Sequence, residues 1–405
     1  MTKRSPRIAY AATVYGSAEV RAVMNVLSNP IKLVSGPLVK QFERRIARLF
    51  GKPFGVMVNS GSSANLLALE VLDLPKGSEV ITPALTFSTT LAPILQQNLT
   101  PVFADIDAGF YTINIDQIER LITRRTKAIF IPSLIGNIPD LKRLSEIAKA
   151  HKLRFIEDSC DTLGARFAGR PTGVYSDVST TSFYASHIIT AAASGGMVCF
   201  RDPVLARRAL LKSNWGREST LFGPHELSED LKKRFAGRIG QNAYDAKFIF
   251  SEVGYNFQPT EINAAFGLAQ LKRLALFKKI RQQNFASLLN FFRAYEDIFI
   301  LPRQHLKTDT AWLALPLTIR KGAKFSRNAL TYYLEKRNIQ TRPIFTGNVL
   351  RQPAFKNIRA RRLRSGYPMA DEVMRGGFLI GCHHGLSAPH LSYIKEAFEA
   401  FLKAK

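Results

Sequence analysis

A chain of 405 residues can hold two domains, or one large domain with a smaller lobe, and its 46% hydrophobic and 22% charged residues suit a globular core. No run reaches the roughly 18 apolar residues of a membrane span, and MTKRSPRIAYAATVYG lacks the apolar segment of a secretory leader. The balance of 57 Lys and Arg against 31 Asp and Glu, a net +26, attracts anions in general; it is spread along the chain, clusters only at 278–283 and 359–365, and follows no nucleic-acid-binding pattern. A solvated basic surface is the plain reading, with nucleic-acid binding the other. Cys160, Cys199 and Cys382 lie far apart without C-x-x-C spacing. That speaks against a thiolate-bound zinc or iron–sulfur cluster and for a reducing compartment, by default the cytoplasm.

In chain order, FGVMVNS, EVITPAL, TPVFADID, KAIFIPSLIG and LRFIEDSCD are short β-rich runs. They alternate with the helical patterns GSSANLLALEVL, FSTTLAPILQQ, IDQIERLI and DLKRLSEIAKAHK. Such alternation predicts βαβ units around a mainly parallel sheet, an α/β fold. VSTTSFYAS and GGMVCFRD add two strands, and 203–213 and 260–296 read as helices, the second long enough to link two lobes. WLALPLTIR, SRNALTYYLEKRNI, TRPIF and the terminal PHLSYIKEAFEAFLKAK then suggest a smaller α/β lobe. The expected division is a large domain over 1–290, N-terminal arm included, and a small C-terminal domain over 291–405. Residues 216–247, polar and punctuated by glycine, read as an excursion near the site.

Several stretches have the means for chemistry. Asn59 to Ser63 sit between a strand and a helix, where Gly61 allows a tight turn and Ser62 and Ser63 offer N–H and hydroxyl groups to a phosphate. A plain serine-rich helix cap has the same letters. FIEDSCD places Glu157, Asp158 and Asp161 at the carboxyl end of a predicted parallel strand, where α/β sheets bind ligands. A buried carboxylate there needs a cationic or hydrogen-bonding partner such as a protonated ring nitrogen; capping of the next turn competes, more for Glu157 than for Asp158. Phe87 follows another strand and can stack on a flat ring or simply join the core. In SFYASHIITAAASGG, His187 stands before a glycine pair with no lysine nearby; alone it reads as well as a core histidine as a catalyst.

Taken in order, these pieces resemble the DegT/DnrJ/EryC1/StrS family of sugar aminotransferases, fold type I pyridoxal-phosphate proteins. The resemblance runs from SGPLVKQFE through SGSSANL, IEDSCDTLGA and VGYNFQPTEINAAFGLAQL into the C-terminal lobe. It implies that Ser62, Ser63 and Ser182 hold the cofactor phosphate, that Phe87 stacks on the ring and that Asp158, with Asp161 beside it, serves the ring nitrogen. Asn256 would reach the phosphate from the second subunit of a homodimer. Where the family's aminotransferases carry a Schiff-base lysine, this chain has His187, and no lysine occurs between Lys152 and Lys212.

Imidazole cannot make that bond but can move protons near neutral pH. The chain therefore resembles the branch that dehydrates nucleotide-linked 4-keto-6-deoxyhexoses at C3. CDTLG, NWGRE, GYNFQPTEINAA and TGNVLRQPAF add to that likeness. The resemblance implies non-covalently bound pyridoxal or pyridoxamine phosphate, with glutamate as amino donor. It implies no iron–sulfur cluster, since no cysteine lies between Cys199 and Cys382 to follow Trp215-Gly216-Arg217. Arg342, Asn348 and Arg351 are expected to meet the sugar, the nucleotide phosphates or glutamate. His384, with His383, is expected either to line the site or to brace it. The stretch from His187 to Gly196 is about one residue long for the family, and Ser194 stands where a Glu is usual. An altered aminotransferase and a non-catalytic regulatory or nucleic-acid-binding relative remain the alternatives.

Overall fold

The computed structural model describes residues 7–29, 33–223 and 230–405. Its centre is a seven-stranded sheet of β1 (Phe54–Val58), β2 (Glu79–Pro83), β3 (Thr100–Ala104), β4 (Thr126–Pro132), β5 (Arg154–Asp158), β6 (Val178–Ser182) and β7 (Gly196–Phe200). The strand order is β1-β7-β6-β5-β4-β2-β3. The pairs from β3 through β6 are parallel, and β7 runs antiparallel to both β6 and β1. Strands such as EVITP are buried along their whole length, as a sheet covered on both faces requires.

Around it pack α1 (Ser17–Leu27), α2 (Pro37–Leu49), α3 (Gly61–Glu70), α4 (Ser88–Gln96), α5 (Leu141–Ala150), α6 (Pro203–Lys212), α7 (Glu261–Leu271) and α8 (Leu274–Phe292). The α/β expectation holds. The helix predicted over 260–296 is two, because the chain turns at Lys272 and Arg273 before α8 begins. Expected strand ends also shorten: β5 stops at Asp158 and β6 at Ser182, leaving the following residues to make loops.

A second, antiparallel sheet of β8 (Phe299–Ile300), β9 (Leu315–Ile319), β10 (Thr341–Pro343) and β11 (Gly377–Ile380) lies in the order β8-β9-β11-β10. It packs with α9 (Arg327–Lys336) and α10 (Ala388–Lys403). Ile8 bridges to Ile339, which ties the N-terminal arm to this C-terminal sheet. In the excursion after Trp215, a short helix (Leu231–Phe235) precedes a two-stranded hairpin of Arg238–Ile239 with Asn242–Ala243. Residues 224–229 of that excursion lie outside the described residues.

The N-terminus of α2 cannot cap itself, because Gly36 has no side chain to accept its free N–H groups. Glu261, at the start of α7, does it instead. Its carboxylate accepts the N–H groups of Gly36 (2.9 Å), Leu38 (2.9 Å) and Val39 (2.8 Å) and is almost fully buried. Glu261→Ala strands three donors and is expected to cost about 3 kcal/mol. Thermal unfolding should show a loss of several degrees, with Glu261→Gln partly restoring it.

Candidate active site

The parallel strands end on one edge of the sheet, and the chemistry-bearing residues collect there. Beyond β1, Ser60 caps α3: its side chain accepts the Ser63 N–H at 3.1 Å. The Ser63 hydroxyl in turn donates to Asn59 Oδ1 at 2.7 Å, while Ser62 stands exposed at the helix mouth. A side chain could not replace Gly61, whose added Cβ would lie 2.6 Å from Ser182 Cβ. That contact brings the ends of β1 and β6 together, so Ser62, Ser63 and Ser182 do converge on one helix N-terminus.

Phe87, read as either core or platform, is 48% exposed at the start of α4, its ring edge-on to Phe345 at 5.8 Å. A large apolar face left open at the strand ends suits an aromatic ligand. Asp158 is 6% exposed; its Oδ2 accepts from Asn65 Nδ2 and from the Thr90 hydroxyl, both at 2.8 Å. Its Oδ1 takes only a longer bond, 3.2 Å, from the Cys160 N–H, and so keeps acceptor capacity for a ring N–H. Asn65 and Thr90 hold this carboxylate, a part the sequence reading did not pick out. The signal was there: Asn65 lies one turn beyond Gly61, and Thr90 in the first turn of α4.

Glu157 points the other way, as alternation along a strand demands. The hydroxyls of Ser159 (2.5 Å), Ser179 (2.9 Å) and Ser176 (3.3 Å) donate to it. It belongs to the packing of the far face and caps no turn.

His187 lies in the loop after β6, its side chain 14% exposed. Its Nδ1 is 3.4 Å from Asp161 Oδ1 and is buried without a hydrogen-bond partner, which leaves Nε2 as the accessible nitrogen. Asp161 Oδ2 accepts the Ile135 N–H at 2.8 Å. Asp161 is thus placed against the imidazole, behind Asp158. Burial pushes the carboxyl of Asp161 up to about 7 and holds the imidazole of His187 down to about 4, with the Arg281 charge adding to the latter. In the loop before Gly196, Ala192 and Ala193 both have positive φ (52° and 68°). Thr190 holds that turn: its hydroxyl donates to Phe183 O and accepts from Ala193 N, each at 2.9 Å. Ser194 donates to Asn59 O at 2.7 Å, joining this loop to the turn that precedes α3.

The residues expected to meet substrate divide. Arg342 is exposed and lies over the Tyr10 ring at 5.1 Å. Arg351 is exposed but holds Asp371 in a two-pronged contact of 3.1 and 2.9 Å. Asn348 is fully buried; its amide donates to Asp371 Oδ1 at 2.7 Å, and its oxygen accepts from Leu350 N at 3.1 Å. These bonds brace the loop. His384 is buried and stacked on Phe277 (3.8 Å, 17°), with Nδ1 accepting from Arg281. His383 fastens the N-terminal arm through Ala9 O at 3.1 Å. Asn256 is exposed and pairs with Asn214 in an isolated bridge.

A phosphate, a flat ring and a protonated ring nitrogen each find a counterpart here, and the fold around them is that of the pyridoxal-phosphate-dependent aminotransferases. The Escherichia coli GDP-4-keto-6-deoxy-D-mannose 3-dehydratase, solved with bound hydrated pyridoxal phosphate, superposes with a TM-score of 0.86 at 27% identity, covering 97% of this chain and all of that one. The chain belongs to the DegT/DnrJ/EryC1/StrS aminotransferase family, whose profile matches residues 15–399. The dTDP-4-dehydro-2,6-dideoxy-D-glucose 3-dehydratase of Saccharopolyspora spinosa is 36% identical over 92% of this chain and 82% of its own length. The lipopolysaccharide biosynthesis protein RfbH of Salmonella typhimurium is 36% identical over 91% and 86%.

Asp158→Asn keeps the size and neutral hydrogen bonding but removes the charge. It is expected to weaken pyridoxal phosphate binding about 10-fold or more, read by absorbance titration with the fold checked by circular dichroism. An unchanged Kd would remove Asp158 from the cofactor site.

Proposed function

We propose that the chain is a pyridoxal/pyridoxamine-phosphate-dependent 3-dehydratase of a nucleotide-linked 4-keto-6-deoxyhexose, acting in deoxysugar synthesis such as that for surface polysaccharide. The observation that carries this reading is His187. An imidazole stands where the family's aminotransferases hold an amine, its Nδ1 3.4 Å from Asp161 Oδ1. When bound, the cofactor supplies an electron sink beside the sugar carbonyl. The chain does the rest. Ser62, Ser63 and Ser182 seat the phosphate, with Asn256 of a second subunit reaching it in a homodimer. Phe87 covers the ring and Asp158 keeps its nitrogen protonated. His187, with Nδ1 turned to Asp161, accepts a proton at Nε2 and returns it to the departing 3-hydroxyl as water.

An aminotransferase reading needs another amine, and the two buried lysines among the described residues do not offer one. Lys212 is held by Glu70 (2.9 Å) and Glu252 (3.2 Å). Lys52 donates to the carbonyls of Ser176 (2.7 Å) and Asp177 (3.1 Å), which precede β6. That is the end of the strand opposite the site, roughly 15 Å away at the usual rise per residue. This supports a cofactor held without a covalent bond. Three cysteines in all, on a site loop, in the large sheet and beyond the small one, are too few and too far apart for the four thiolates of an iron–sulfur cluster. Return of the cofactor to its amine form then falls to an amino donor, glutamate. Among the described residues no helix is long and apolar enough to cross a membrane, which is compatible with the cytoplasmic setting of a nucleotide-sugar enzyme.

Two experiments test the proposal. A panel of GDP-, CDP-, dTDP- and UDP-linked 4-keto-6-deoxyhexoses should yield one that loses its 3-hydroxyl in the presence of cofactor and glutamate. His187→Asn should reduce that rate roughly 10²- to 10⁴-fold with little change in cofactor affinity. No dehydration across the panel would defeat the reading. Borohydride treatment of the cofactor-loaded protein should leave no pyridoxyl group on the polypeptide, and a labelled lysine peptide in the mass spectrum would favour transamination instead.

A further inference from the structure

Arg281 lies directly behind the site. The side chain comes from the middle of α8 and is fully buried. Its guanidinium donates to the carbonyls of Leu313 (3.0 Å) and Trp312 (3.3 Å), to His384 Nδ1 (3.2 Å), and at 3.5 Å to the carbonyl of His187. No carboxylate pairs with it among the described residues. A buried charge left without a counter-ion costs several kcal/mol, so its presence here asks for a reason.

We propose that Arg281 is a positioning residue for His187: a buried cation anchored on Trp312 and Leu313 that fixes the main chain of His187 from behind and keeps its imidazole in the neutral, proton-accepting form. This rests on the reading of His187 as the proton-transferring residue. The argument is one of charge placement. Asp161, 3.4 Å from Nδ1, would when ionised draw a second proton onto the imidazole; Arg281 opposes it. His384 adds nothing positive, because its Nδ1 accepts from Arg281 and is therefore unprotonated, with any proton on Nε2. Tyr184 lies edge-on to the ring at 6.4 Å. With the acid at Nδ1 and the cation behind the main chain, Nδ1–H faces Asp161 and Nε2 keeps its lone pair. Burial acts in the same sense as the cation, consistent with the depressed imidazole.

The sign follows directly. Loss of the cation raises the imidazole pKa, so the neutral form, and with it the base, disappears at a higher pH. The test uses the whole protein, free of cofactor, with carbon-13-labelled histidine rings; His187 is assigned among the seven histidines by its absence in His187→Asn. In the unaltered protein its resonance should not titrate between about pH 5.5 and 8, where an ordinary imidazole does. In Arg281→Met its midpoint should rise by about one pH unit or more, while Arg281→Lys, which keeps the charge but not the fork, should stay near the parent value. The acid limb of kcat/KM should move with the ring in Arg281→Met and stay in place in Arg281→Lys. An ordinary His187 midpoint in the unaltered protein would overturn the proposal, as would the same midpoint in both variants. Should Arg281→Met fail to fold, the unaltered protein and Arg281→Lys decide. The ring titration needs neither substrate nor cofactor, so a failure of the dehydratase reading shows separately in the sugar panel.

Discussion

A methyl group on Gly196 would place a carbon 2.2 Å from the carbonyl oxygen of Ser60 and 2.7 Å from the amide nitrogen of Gly61. That closeness is the constraint on which the site depends. Gly196 pairs with Val58 of β1 on one side and with Ser182 of β6 on the other. The one antiparallel strand of the large sheet thereby fastens the carboxyl ends of its two neighbours side by side. The start of α3, the hydroxyl of Ser182 and the loop carrying His187 then have nowhere to go but one corner. Ala192 and Ala193 close that loop in a conformation that costs an L-residue about 1–2 kcal/mol each. Thr190 and the Asn263 amide, which donates to Ala191 O at 2.7 Å, hold it there.

How much of this was legible in the residues follows from the range of the interactions involved. Strand and helix alternation up to Cys199 depends on local periodicity, and the sheet forms as the pattern demands. The serine seat and Asp158 lie at strand ends, which sequence locates to within a residue or two. Phe87 could be read both ways until its open face was seen. Asn348 and Arg351 could not be judged from TGNVLRQP, because their partner is Asp371, twenty or more residues further on. Arg281 was hidden for a similar reason. Inside KKIRQQNF it looks like one more basic residue on a helix surface. Only the packing of α8 against Trp312, Leu313 and His384 turns it inward.

The pair Glu157 and Asp158 shows how a strand sorts identical charges into different work. Asp158 faces Asn65, Thr90 and the site, while Glu157 faces serine hydroxyls and, beyond them, the buried Lys52, whose amine is lowered to about 8 by burial. Neither is an isolated buried charge, since each is surrounded by donors. The separation also keeps Lys52 from approaching the cofactor corner. The excess of positive charge in this chain therefore does not supply a spare amine where an aldehyde would react. Its buried members are enclosed by carbonyls or carboxylates.

That arrangement bears on what changes when the family's lysine is replaced. A cation buried behind position 187 lowers the pKa of whatever base stands there, amine or imidazole, because it penalises the protonated form of either. Arg281 would thus suit a lysine that must be neutral to attack a carbonyl as well as it suits a histidine that must be neutral to take a proton. The pocket's treatment of the proton at this position is set by α8, far along the chain, and is independent of the residue that receives it. What the histidine alters is bonding capacity: it has no primary amine with which to hold an aldehyde, so a cofactor bound there would not be joined to the polypeptide at this position, and the amine that meets the sugar's 4-keto group would be the cofactor's own. An imidazole in that place can still take a proton and hand it to a departing hydroxyl, which leaves as water. One missing nucleophile thus separates the elimination proposed for this chain from transamination, in a pocket whose electrostatics need not have changed.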